Sequence, residues 1–431
     1  MAYKYYTLMP PSDGSKNSLT VNGRTYSATP NSSISVPDFD ANVLMANGWT
    51  RISNPSTSKT QTVRQIATRC YVPSHAPIAS NKYIISCTTH QARDTVTQMA
   101  AVFPNFYVDS TTFQDTNGPG VAATINAAYV EYPFGTFTPF KFGGSTTGSI
   151  PNASFMATDL AAVNIPNGAT FRIHFSGYFP NGIIYCPNTN TRNLTGGDKW
   201  NFGASPYTGF PTNYGTDAGS GFYGPCAIVG PSSRLAVALI GDSIMFGYMD
   251  AVSDLGADTG IMARAVGAKY AYINMGVPSD RTMYAATGFV NRATLTNLYC
   301  QGVISNYGIN DLAASRTWVQ LSADLQTLYG KLSGKPILQC TIGPKTTSSD
   351  GWTSATQTLF AGEAERKNAN SAIRGCLPNT IGHVEVANVL ETGWNTGLYK
   401  FPGFTTDGTH PNQAGNLLLA FAGAVDMNFM G

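Results

Sequence analysis

The sequence predicts an α/β protein: a three-layer α/β/α parallel-sheet domain over residues 231–431, preceded by a β-rich, sandwich or jelly-roll-like region over residues 56–230. Three observations carry that reading. Beyond residue 231, short apolar runs alternate with helical stripes, and strands alternating with helices imply a parallel sheet. Before it, Gly, Ser, Thr, Asn, Pro and aromatics dominate, and apolar runs are bounded by turn clusters, as in antiparallel strands. Finally, 431 residues exceed what one domain of ordinary size holds, and residues 1–55 read as a separate small segment.

In the first segment, Val21 to Ala28 reads as a small β element, Ile34 to Ala41 follows, and Leu44 to Trp49 reads as a helical turn. In the next region Lys82–Ser86, Ala128–Tyr132 and Thr170–Phe175 read as strands. Its aromatics (Phe103, Phe106, Tyr107, Tyr129, Tyr132, Phe134, Phe137, Phe140) are expected in a sandwich core. Stacking on sugar rings is their functional alternative. Residues 186–231 read as loops that link the domains or fold over the edge of a site, including Asn188 to Asn193. Gly219-Ser220-Gly221-Phe222-Tyr223-Gly224 fits a dinucleotide fingerprint, but Pro225 follows at once and no helix opens, so it reads as a loop.

In the C-terminal part, Leu235–Ile240, Tyr270–Met275, Cys300–Tyr307, Pro336–Ile342 and Val384–Val389 read as five strands. Trp318, Leu321, Leu325, Leu328 and Leu332 form a helical stripe, Thr356–Arg374 a polar helix, and Ala414–Phe429 an apolar closing helix.

The first strand ends abruptly on Gly241-Asp242-Ser243. A serine at a strand's carboxyl end, opening a helix, is exposed where a nucleophile is needed. Serine has negligible nucleophilicity at neutral pH and needs a base to take its proton. Asp407-Gly408-Thr409-His410 supplies one: His410 as base, with Asp407 to orient the ring and stabilise the imidazolium. Two residues between them can stabilise an oxyanion. Gly276, ending the second strand, lets backbone approach a substrate and present an N–H; Asn310, after the third strand, offers a neutral carboxamide donor. A helix N-cap is the structural alternative for Asn310. The Gly-x-Ser-x-Gly elbow is excluded, because Met245 stands where the second glycine would be.

Ser, Gly, Asn and His blocks in this order resemble the SGNH hydrolases, also called the GDSL esterase/lipase family, over residues 231–431. The resemblance implies a flavodoxin-like fold, with Ser243 as nucleophile, His410 as base and Asp407 as acid. It makes the amides of Ser243 and Gly276 and the Asn310 side chain the oxyanion donors. It implies a serine esterase of short-chain acyl esters, with O-acetyl groups on a polysaccharide as the expected substrate and no cofactor. An acyltransferase using the same site is one alternative; a glycan- or receptor-binding phage structural protein with an incidental hydrolase fold is another. The sequence departs from the family at Ile244, where leucine is usual, and at Ser279, where many members have a further glycine. The segment Val21 to Trp49 also resembles a stretch that recurs at the ends of phage structural proteins. That likeness implies virion or tail partners and an extracellular or virion-associated location.

The net charge is +2 and only 12% of residues are charged, so electrostatic binding of nucleic acid is not expected. No apolar run is long enough to span a membrane, and the N-terminus lacks the apolar stretch of an ordinary signal peptide. Seven scattered cysteines without Cys-x-x-Cys read as buried thiols. His75, His90, His174 and His383 lack partners at ligand spacing, so they read as structural and no metal site is expected.

Overall fold

A computed structural model describes residues 5–51, 61–187, 192–219, 221–251, 258–422 and 425. It divides into two compact units, Met1–Gln61 and Thr62–Gly431.

The first unit has an antiparallel sheet of Ile34–Pro37, Tyr5–Met9 and Thr50–Arg51, a hairpin of Ser18–Val21 with Arg24–Ser27, and a helix over Asp38–Ala46. Asn22-Gly23 makes the hairpin turn, with φ of 51° and 77°, the left-handed pair that matches strand twist in a two-residue loop. Leu8, Val21, Tyr26, Val36, Leu44 and Trp49 form its core.

The second unit opens with two antiparallel sheets. One comprises Phe155–Ala157, Val96–Pro104, Ala227–Ser232 and Thr62–Gln65, with Ala161–Ile165 also on Val96–Pro104. The other runs Phe137–Pro139, Ala123–Glu131, Thr170–Tyr178, Tyr83–Gln91 and Lys199–Gly203, with Gly148–Ile150 also on Ala123–Glu131. Their inner faces meet at Phe103 and Phe175, whose rings lie 4.7 Å apart. Phe103, Phe106 and Phe140 are fully buried in this core, whereas Phe134 is exposed.

Next comes a six-stranded parallel sheet in the order Gly382–Val384, Ile337–Cys340, Gly302–Ser305, Ala236–Ile240, Ala271–Asn274, Cys70–Tyr71. Four central strands are buried along their whole length, as expected of strands covered on both faces. The edge strand Cys70–Tyr71 comes from the β-rich region, with Cys70 in register with Ile273 and Tyr71 with Asn274. The boundary expected near residue 230 therefore falls inside one unit, and a single apolar core runs from Ile66 and Phe103 to Ile240, Val303 and Leu321.

Asp115, from the β-rich region, fastens the helix Asn291–Tyr299. Its Oδ1 accepts the Val290 and Asn291 amides at 2.9 and 3.0 Å, and its Oδ2 accepts the Arg292 amide at 2.9 Å. The Arg292 guanidinium, fully buried, pairs with Asp115 through Nε at 3.2 Å and with Asp280 through Nη1 at 2.9 Å.

Three elements differ from their sequence expectation. Thr356–Arg374 is not one helix: Gln357–Leu359 pairs with Thr346–Ser348, and the helix starts at Glu363. The fifth strand stops at Val384, and Ala387–Leu390 is helical. Thr341 Oγ1 accepts the Val386 and Ala387 amides and Glu385 the Asn388 amide, which turns the chain out of the sheet. The closing helix spans Gln413–Phe421; residues 423, 424 and 426–429 of the expected helix lie outside the described residues, as do Asn188 to Thr191 and Ser220. Among the described residues no helix is long and apolar enough to cross a membrane.

Candidate active site

Ser243 is the first residue of a short helix, Ser243–Phe246, that leaves the carboxyl end of the central strand Ala236–Ile240. Its own N–H is therefore one of the amides a helix start leaves unpaired. The turn is built by contacts rather than by propensity. Asp242 caps the helix, its Oδ1 accepting the Ile244 amide at 2.9 Å and Asn306 Nδ2 at 3.1 Å. Asn306 Oδ1 in turn accepts the Asp242 amide at 3.3 Å, and a Cβ at Gly241 would collide with that oxygen. Burial pushes the Asp242 carboxyl up to about 6, against the hydrogen bonds from Ile244 and Asn306; its Oδ2 is buried without a partner.

The structure brings the three sequence-predicted residues together. Ser243 Oγ and His410 Nε2 are 2.7 Å apart, and His410 Nδ1 and Asp407 Oδ2 are 2.6 Å apart. Asp407 Oδ1 also accepts the backbone amides of Thr409 and His410 at 2.9 and 2.8 Å. Burial alone would raise the Asp407 carboxyl; the hydrogen bonds from His410 and from these amides outweigh it and hold the group well below the usual carboxylate range. The loop is pinned from outside: Tyr399 OH donates to Thr409 O at 2.7 Å, and Thr405 Oγ1 donates to His410 O at 2.8 Å. Lys345 Nζ donates to Thr409 Oγ1 at 2.6 Å; burial lowers its pKa, partly offset by Asp407 and Asp242. Tyr248, exposed, presents its ring edge-on to His410 with centroids 4.9 Å apart.

The two expected oxyanion donors fare differently. Asn310 is the second residue of the helix Ile309–Ala313 and not its cap; its Nδ2 donates to Asp280 O at 3.1 Å, leaving its second N–H uncommitted. Gly276 lies within the packing instead of at the surface. Its N–H donates to Asn274 Oδ1 at 3.0 Å, and a Cβ there would sit 2.6 Å from Phe246 N and 2.9 Å from Asp242 O. Its amide is spent and buried, so glycine is required there by the nucleophile turn packed upon it. Three residues on, Ser279 is exposed with φ 68°, and its N–H finds no acceptor among the described residues. The only sequence signal for this was serine at a position where many relatives have glycine. Asn306, Lys345 and Tyr248 gave none, since tertiary packing alone brings them to the site.

A small apolar cavity under the site, bordered by Ile244, Ile309, Ile342, Val386 and Pro411, has about 20 Å³, room for one water. Among the described residues no cluster of three His, Cys, Asp or Glu is placed to hold a metal. His90 is buried, with contacts of 2.7 Å to Thr88 Oγ1 and 2.9 Å to Thr68 O, and burial pushes its pKa down to about 4.

The GDSL-like Lipase/Acylhydrolase family matches residues 239–418, which include Ser243, Asp407 and His410. No curated protein matches the sequence. Among solved structures, the chain is similar to a GDSL-like lipase from Bacteroides thetaiotaomicron, at 17% identity over 43% of this chain and 84% of that one, with a TM-score of 0.33. It is similar to a member of the lipolytic G-D-S-L family from Veillonella parvula, at 16% identity over 44% and 95% with a TM-score of 0.32. It is also similar to a mutant acetyl-xylooligosaccharide esterase from Geobacillus, at 19% identity over 46% and 98% with a TM-score of 0.32. The family match over residues 239–418 and the hydrogen-bonded serine, histidine and aspartate within it lead to one conclusion: the protein is a carboxylic ester hydrolase.

Proposed function

We propose that this enzyme removes short acyl groups, acetyl above all, from hydroxyls of a polysaccharide through an acyl-enzyme on Ser243. The observation that carries the reading is the unbroken relay from Ser243 Oγ through His410 to Asp407, at 2.7 and 2.6 Å. Ser243 Oγ attacks the ester carbonyl as its proton passes to His410 Nε2. The Ser243 and Ser279 amides and the free N–H of Asn310 receive the developing oxyanion. The carbon–oxygen bond to the alcohol breaks, and His410 returns the proton to the leaving alkoxide. Water then gives its proton to His410 and attacks the acyl-enzyme, releasing the acid and restoring Ser243.

A short acyl group is supported by the 20 Å³ apolar cavity lined by Ile244 and Pro411, the residues that follow Ser243 and His410, which is too small for a hydrocarbon chain. A sugar as the alcohol is supported by the rim of His410, where the exposed Tyr248 ring offers a stacking surface and Lys345 a donor. The test is turnover of p-nitrophenyl esters from acetate to octanoate, followed by acetate release from acetylated xylan. Acetate should be the best acyl group, and Ser243→Ala should lower kcat by about 10⁴-fold or more. A preference for octanoate, or activity that survives Ser243→Ala, overturns the reading.

A further inference from the structure

A cavity of about 460 Å³ opens on the outer face of the antiparallel sheet that contains Thr170–Tyr178, within the roughly 300–1,000 Å³ range of small-molecule sites. Strand alternation puts Phe171, Ile173 and Phe175 in the core and Arg172 and His174 on this outer face. In register beside them stand Glu131, opposite Arg172, and Cys87, opposite both His174 and Lys199. Such a face is ordinarily left to solvent. Here Pro211, Thr212 and Tyr214 close over it, so that the Glu131 and His174 side chains are only 7% and 4% exposed.

The floor of the cavity is fully connected. Tyr214 OH lies 2.5 Å from His174 Nδ1, and His174 Nε2 lies 3.0 Å from Glu131 Oε2. Glu131 Oε1 accepts the Gly135 amide at 2.7 Å, and Oε2 also meets Arg172 Nη1 at 3.4 Å. Burial lowers the pKa of His174, against the opposing pull of the Glu131 carboxylate. Burying a carboxylate in this way is unfavourable until its partners offset it, and apolar side chains would fasten the loop as well. The lining is therefore polar for a reason other than closure.

What remains uncommitted is cationic. The only carboxylate lining the cavity is already shared by three donors, whereas Lys199 is exposed and makes no salt bridge among the described residues. Arg172 keeps N–H groups beyond those given to Glu131 and Gly196. Phe137 and Pro211 add apolar wall suited to the face of a ring. We propose that this cavity is a second, non-catalytic binding site for an acidic saccharide, its carboxylate on Lys199 and Arg172 and its ring against Phe137. The inference does not depend on the substrate of Ser243.

Calorimetric titration of the full-length protein with unesterified probes tests it: tetragalacturonate, a hyaluronan tetrasaccharide and 3′-sialyllactose, with xylotetraose as the neutral control. At least one acidic probe should bind with a Kd below about 1 mM, tenfold or more tighter than xylotetraose. Lys199→Ala and Phe137→Ala, both at the cavity rim, should each weaken that binding about fivefold or more at unchanged Tm. A Kd above that limit for all three acidic probes, equal binding of xylotetraose, or unchanged binding in both variants overturns the proposal. Since the probes carry no ester, a failure here leaves the acyl-transfer reading standing, and a failure of ester turnover leaves this one standing.

Discussion

Ser243 is held by a turn whose neighbours are chosen for shape, and shape separates the two expected oxyanion donors, Asn310 and Gly276. Asn310→Ala removes a neutral donor from the oxyanion and should lower kcat by about 10²–10³-fold with little change in Tm. Gly276→Ala should act through the fold, because its methyl would meet Phe246 N at 2.6 Å. Thermal denaturation beside kcat distinguishes the two, and a Gly276→Ala protein with native Tm and lost kcat would return Gly276 to the oxyanion. Asp242 makes stability depend on pH. Its carboxyl, raised by burial to about 6 from 3.8, holds a proton in the folded protein that the unfolded chain has released between those values. Its contribution to stability is thus fully present below about pH 4 and lost as pH rises through about 6, on the order of 3 kcal/mol in all. Urea unfolding at pH 4.5 and 7.5 should show wild type losing stability relative to Asp242→Asn by up to that amount, and a gain would contradict the burial argument. Ser243, Asp407 and His410 were legible in the sequence because two of them sit three residues apart and the third ends an apolar run. Lys345 and Tyr248 were not, since each meets the His410 loop only through the tertiary fold.

At the scale of elements, the strands of the parallel sheet were legible because burial on both faces makes them short continuous apolar runs, as at Ala236–Ile240. The misread elements are those where a polar side chain redirects the backbone. Thr341 Oγ1 ends the strand after Val384, and nothing in Val384–Val389 itself announces that. The strand Cys70–Tyr71 was illegible for a different reason: two residues carry no periodicity. Asp115 is likewise silent in sequence yet holds four groups of the helix Asn291–Tyr299 and its approach. Asp115→Ala leaves the buried Arg292 with only Asp280 as a charged partner, and should cost about 3–5 kcal/mol in urea unfolding. A loss below 1 kcal/mol would show that the clamp is dispensable.

For the whole molecule, the apolar core continuous from Ile66 to Leu321 makes residues 62–431 a single folding problem. Residues 231–431 expressed alone lack the edge strand Cys70–Tyr71 and the Asp115 clamp, and should yield no cooperative melting transition. Removal of residues 1–61 takes away a unit with its own core and should leave Tm and p-nitrophenyl acetate turnover within error of the full chain. Cooperative melting of the 231–431 fragment would mean that the sheet closes without its edge. The fragment reading was natural from sequence, because composition changes near residue 230 while the pairing that crosses it leaves no local trace. That pairing also bears on synthesis. Cys70 must wait for Ile273, about 200 residues later, before its strand has a neighbour. Contacts this distant slow folding, because loop closure precedes any gain from pairing. A ribosome making this enzyme therefore carries an unfinished sheet edge through much of elongation.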